Sequence, residues 1–167
     1  MLPPAPGLFS GLTKSYLSKI ERGQATPSIS AALKIAKAIG IPVERLFGEP
    51  TGESAITIVR RAKATSLGSD TAKGARKIQL IAGGASKAGM LGFLIFPPPA
   101  PVRGYRLSDH QGEELLYILS GTIELRLGSG AETLHVGDCA LFDARVPHRL
   151  VSVGKESASA LVVVAPG

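Results

Sequence analysis

The sequence predicts an α+β protein in which a small all-α module precedes an all-β barrel. The first observation is a change of hydrophobic period. Up to about residue 47 apolar side chains recur at intervals of three and four, and beyond residue 55 they fall into short runs divided by turn residues. The second is a change of charge. Residues 1–50 carry six Lys or Arg against three acids, residues 51–104 eight against two, and residues 105–167 five against eight, giving +3, +6 and −3. A basic front suits contact with a polyanion, and an acidic back suits a different task.

A chain of 167 residues has room for one or two domains. The boundaries predicted are 1–48 for the helical module, 49–55 for a polar Gly- and Pro-containing linker, and 56–167 for the barrel. The longest apolar stretch, Met90 to Phe96 with Gly92 inside it, is too short to span a bilayer. The start, "MLPPAPGLF", lacks a basic region and is broken by proline, so no secretory signal is expected. Cys139 is the single cysteine, which excludes an intrachain disulfide and points to a cytoplasmic protein without membrane contact.

Thr13 is placed to cap a helix through Tyr16, Leu17 and Ile20 that ends before Gly23. Thr26-Pro27-Ser28 opens a second helix with Ala32, Leu33, Ala36 and Ile39 on one face, stopped by Gly40, and a third starts at Pro42. Nine strands are predicted: Ile56 to Val59, Ile78 to Ile81, Leu91 to Phe96, Leu115 to Leu119, Thr122 to Leu127, Thr133 to Val136, Ala140 to Phe142, Leu150 to Val153 and Ala160 to Val164. Ser120-Gly121, Gly128-Ser129-Gly130 and Gly137-Asp138 read as hairpin turns between them.

A helix that enters the DNA major groove reads bases from its first turns while nearby cations hold phosphates. Lys14, Ser15, Tyr16, Ser18 and Lys19 are the outward candidates, with Leu17 and Ile20 turned inward. Arg22 and Lys34 are placed to reach the backbone, and the helix start at Ser28 to offer amides to a phosphate. The segment "SGLTKSYLSKIERGQATPSISAALKIAKAIGIPVERLF" resembles the helix-turn-helix domain of the Xre family of bacterial regulators, over about its last three helices. That resemblance implies DNA contact through Lys14, Ser15, Tyr16, Ser18, Lys19 and Arg22. It also implies two helices upstream of Gly11, where this chain has ten residues including three prolines, so a partial module is expected.

The barrel offers a second constellation, His110, Glu114 and His148, two imidazoles and a carboxylate of the kind that hold iron, manganese, nickel or zinc. "HQGEELLYILSGTIELRLG" with "LHVGDCALFDARVPHRLVS" resembles the two motifs of the cupin family, implying a double-stranded β-helix barrel. The resemblance puts His110, Glu114 and His148 at three of four ligand places and Ser108 at the fourth. Asp143 and Arg145 stand where the motif has proline and glycine. An effector pocket over Ser108, His110, Glu114 and His148 is the reading that follows, with a divalent metal on the three ligands as a further occupant. Tyr105, Arg106, Tyr117, Phe142 and Arg145 are candidates for the barrel mouth, His135 for the surface and Cys139 for the core.

The two resemblances together imply a transcriptional regulator with an Xre-type helix-turn-helix and a cupin sensor. Its implied partners are a double-stranded operator, a small-molecule effector and a second copy of itself. The alternative is a small metal-dependent cupin enzyme, an oxygenase or isomerase with a vestigial N-terminus.

Overall fold

The computed structural model describes residues 12–47, 58–60, 66–67, 77–83, 89–101 and 107–165. Helix α1 (Lys14–Glu21) starts at Thr13, whose hydroxyl accepts from the Tyr16 amide at 3.3 Å. No residue of α1 is buried, and Leu17 and Ile20 are only half covered. Helix α2 (Ile29–Ile39) is capped by Ser28, which accepts from the Ala31 amide at 3.1 Å. It ends at Gly40, whose φ of 71° is the left-handed conformation that glycine adopts without strain. Ile29, Ser30, Ala31, Ala32 and Ala36 are buried, whereas Ile39 is 49% exposed, so the apolar face is rotated toward the helix start. The third helix is a 3-10 turn, Val43–Phe47.

Nine strands follow among the described residues: β1 (Ser66–Leu67), β2 (Lys77–Ala82), β3 (Leu91–Phe96), β4 (Glu113–Ser120), β5 (Thr122–Leu127), β6 (Gly130–His135), β7 (Cys139–Asp143), β8 (His148–Val153) and β9 (Ser159–Ala165). They form a six-stranded sheet in the order β1-β2-β3-β9-β4-β7 and a three-stranded sheet in the order β6-β5-β8. The short β1 pairs with β2 and has no counterpart among the expected strands. Of the strand expected at Ile56 to Val59, residues 58 and 59 are irregular, and residues 56 and 57 lie outside the described residues.

The turns divide into two kinds. Gly128-Ser129 closes a true hairpin, with Leu127 opposite Gly130. Ser120-Gly121 and Gly137-Asp138 do not: β4 and β7 lie in the large sheet, and β5 and β6 in the small one. Both are corners where the chain crosses between sheets. At the first, Gly121 has φ of 66° and a Cβ there would stand 2.8 Å from the Ala158 Cα, so backbone passes backbone too closely for a side chain. At the second, the Gly137 amide donates to the Ile118 carbonyl and the Ile118 amide to Asp138, tying the corner to β4. A glycine-polar pair looks the same in either setting.

The inward face of β4 alternates through Glu114, Leu116 and Ile118, and meets Ile123 and Leu125 of β5, Phe93 of β3 and Val162 and Val164 of β9. The same cluster takes in Ile29, Ala32 and Ala36 of α2 and Val43 and Phe47 beyond it. Phe47 lies against Phe93 with ring centroids 5.9 Å apart. Helical module and barrel thus share one core. Cys139, expected inside, is exposed on the edge strand β7, because its alternation puts Phe142 inward instead. None of the described helices is long and apolar enough to cross a membrane.

Candidate metal and effector site

The inward positions of two facing sheets converge on one buried polar cluster. Glu114 is the second residue of β4, His148 the first of β8, and His110 sits in the loop ahead of β4, where its amide donates to the Ala144 carbonyl at 2.9 Å. All three are buried, and one ligand atom from each lies within 4.8 Å of the others. A carboxylate on the inward period of a strand is costly unless paired. Here His110 Nε2 stands 2.9 Å from Glu114 Oε2, and His148 Nε2 forms a longer ion pair with it at 3.6 Å.

The ring orientations are set from behind. Nδ1 of His110 lies 3.0 Å from the Gln111 carbonyl, and Nδ1 of His148 lies 2.9 Å from the Val146 carbonyl. Each ring therefore donates Nδ1–H to backbone and turns Nε2 toward Glu114, the arrangement that orients imidazole ligands around a metal. The Phe142 ring packs on His148 with centroids 5.0 Å apart. Burial pushes the Glu114 pKa up, but the hydrogen bond from His110 and the charge of His148 outweigh it and hold the group below 4.5. Burial likewise pushes His148 down, and the Glu114 carboxylate overcomes it and raises the pKa above 6.5. Donor type, spacing and oriented rings fit a divalent ion on Nε2 of His110, Nε2 of His148 and the Glu114 carboxylate.

A small cavity of about 50 Å³, open to solvent on one side, lies beside the cluster. Ser108, Glu114 and His148 line it, while His110 does not. Ser108 is joined to His148 by a backbone bridge, its amide donating to the His148 carbonyl at 2.8 Å, so it stands beside the ligands without being one of them. Tyr105 and Arg106 lie outside the described residues. Tyr117 and Arg145 are exposed and away from the cavity, and Arg145 closes on Asp143, its Nη2 2.6 Å from Oδ2. That pair holds the Asp143 carboxyl down at about 2. His135 is exposed, opposite Thr122.

The remaining lining residues escaped the sequence pattern. Arg149 lies between the buried His148 and Leu150 on β8, and Ser28, Ile29 and Ser30 come from the start of α2. The Ser30 hydroxyl donates to the Asp109 carbonyl, and Lys34 Nζ meets Asp109 Oδ1 at 3.2 Å. Lys34 and the α2 start therefore face the barrel, which corrects their expected role at DNA phosphates. Only the apolar face of α2 hinted that something would cover it.

On α1, Lys14, Ser15, Lys19 and Arg22 are exposed and Tyr16 and Ser18 half-buried. Ser15, Ser18, Lys19 and Arg22 share a stripe by their spacing of three, four and seven. Arg22 Nε donates to the Ser18 carbonyl at 3.1 Å, folding back on the helix end.

Comparison with known proteins supports both halves. A helix-turn-helix family matches residues 8–46 and a cupin domain family matches residues 93–164. The HTH-type transcriptional regulator PuuR of Escherichia coli is 26% identical over 141 residues, covering 84% of this chain and 74% of that protein. A solved HTH_3 family transcriptional regulator from Vibrio cholerae superposes with a TM-score of 0.64 at 19% identity, covering 100% of this chain and 88% of that one. Hydroxypropylphosphonic acid epoxidase from S. wedmorenis shares the fold with a TM-score of 0.58, also at 19% identity, over 96% of this chain and 87% of that one. The chain thus carries a helix-turn-helix match followed by a cupin-domain match, and over most of its length it is similar to an HTH-type transcriptional regulator.

Proposed function

We propose that the chain is a DNA-binding transcriptional regulator of the cytoplasm, acting as a homodimer, whose cupin domain senses a small molecule held over His110, Glu114 and His148. The observation that carries the sensing half is the oriented cluster itself: two Nε2 atoms and a carboxylate gathered at the edge of an open cavity. A divalent ion there would supply a Lewis-acidic attachment point for an oxygen or nitrogen donor of the effector. The site works by binding rather than turnover. Beyond the triad, Arg149 is the one ionisable side chain among the described residues that line the cavity.

The reading half rests on α1, where Lys14, Ser15 and Lys19 are exposed toward a groove and its phosphates, with Tyr16 and Ser18 beside them and Arg22 held against the Ser18 carbonyl at the helix end. Fluorescence anisotropy with DNA from upstream of its own gene tests it. Replacing Lys14 and Lys19 together by Ala is expected to weaken binding and to lower the slope of log K against log salt by up to about 2, one unit per lost phosphate contact. A parent chain that binds this DNA no better than random sequence overturns the proposal.

A further inference from the structure

The cavity beside the triad is walled from both domains. Ile95 and Leu150 of the barrel and Ile29 of α2 give it an apolar side, while Ser30, His148 and Arg149 give it a polar one. Ile29 is 9% exposed and Ser30 is 3% exposed, so the first turn of α2 is pressed onto the barrel rather than hung near it. Asp109 then ties the two together. Its carbonyl accepts from Ser30 and its carboxylate meets Lys34 at 3.2 Å, while its chain neighbour His110 is a member of the triad.

We infer that the first turn of α2 is the roof of the effector pocket and that Asp109 is its latch, so that filling the pocket lifts α2 and reorients α1 with it. This deepens the sensing proposal above and rests on it for the identity of the pocket. The ligand it suits is a small molecule with a short apolar body against Ile29, Ile95 and Leu150 and one polar head toward His148 and Arg149. A ligand too large for the closed cavity acts on α2 directly. No relay through the barrel is required, because the wall that moves belongs to the DNA-reading module.

The test uses the full chain with Cys139→Ser to remove the exposed thiol and Ile29→Cys to place one under the roof, reacted with a maleimide in the absence of DNA. The thiol at position 29 is expected to label far more slowly than the exposed Cys139 of the parent. Adding Ser108→Trp, which fills the cavity from the barrel side, is expected to raise that rate roughly tenfold or more while the sheet signal in circular dichroism persists. Adding Lys34→Glu instead, which sets two carboxylates against each other at the latch, is expected to raise it about threefold. Labelling at position 29 as fast as at Cys139 overturns the roof. An unchanged rate in a folded Ser108→Trp chain overturns the coupling, and if that variant does not fold, an unchanged rate in Lys34→Glu does so. Failure to bind DNA would defeat the regulator proposal while leaving these rates to decide the roof.

Discussion

Replacing Phe47 by Ala tests whether helical module and barrel are one cooperative unit. Phe47 is 1% exposed and Phe93, which it touches, is 0% exposed, with ring centroids 5.9 Å apart and planes tilted by 54°. Truncating a fully buried Phe removes its transfer free energy and leaves a void, together about 3–5 kcal/mol. About 0.5–1.5 kcal/mol of stabilisation beyond area burial belongs to aromatic pairs in such tilted contact. In a domain of this length each kcal/mol moves Tm by roughly 2–4 °C, so Phe47→Ala is expected to lower Tm by roughly 6–20 °C. Ile39→Ala, at a side chain 49% exposed at the C-terminal end of α2, serves as the control, with an expected effect within about 0.5 kcal/mol. Scanning calorimetry of the parent should give one transition, since Ile29, Ala36 and Phe47 belong to the same core cluster as Phe93 and Val164. A parent that melts in two steps, or a Phe47→Ala loss below about 1 kcal/mol, refutes the shared core.

Gly121→Ala forces a left-handed φ on a residue with a Cβ and drives that atom to 2.8 Å from the Ala158 backbone; an expected loss of about 1–3 kcal/mol is read by urea unfolding, and a neutral result contradicts the corner geometry. In the metal-free chain the lowered Glu114 pKa contributes stability that is present above pH 4.5 and lost as pH falls through its folded value. The raised His148 pKa contributes stability present below pH 6.5 and lost as pH rises through its own folded value, so the cluster helps most between the two. A divalent ion must displace the proton from His148, so the thermal shift produced by Co²⁺ should grow as pH rises from about 6 to 8 and vanish in His148→Ala; a shift independent of pH, or retained in that variant, contradicts the ligand assignment.

The elements were legible because their signals are local. Thr13, Ser28 and Gly40 mark helix ends by side-chain chemistry within three residues, and the strands from Leu91 to Phe96 and Thr122 to Leu127 keep their expected bounds. The triad was legible through motif strings, since each of its residues sits at a strand start or in the loop ahead of one. Sheet assignment was not legible. Ser120-Gly121 and Gly128-Ser129 are both glycine turns with positive φ, and only the Ala158 backbone packed against Gly121 separates a corner from a hairpin. The α2 wall of the cavity was invisible for a related reason: Ser30 and Asp109 are 79 positions apart, and neither residue carries a pattern that predicts the other.

The way the helical module spends its apolar surface explains why its two helices behave differently. Ile29, Ala31, Ala32 and Ala36 of α2 are buried, and Val43 and Phe47 after it join the barrel core, whereas α1 has no fully buried residue. An eight-residue helix with Thr13 as its cap is below the length at which helices persist alone in water, so its order depends on what it touches. The segment between the helices, Arg22 to Ser28, hands its amides back to α1, with Gln24 and Ala25 both donating to the Lys19 carbonyl. Helix α1 is therefore carried on α2 through a short bonded turn, and α2 is held by the barrel. DNA would supply contact to the exposed side of α1, and the barrel governs the element that carries it. Under the proposed function, the order of α1 and the filling of the pocket would meet at one place, the first turn of α2 against Asp109.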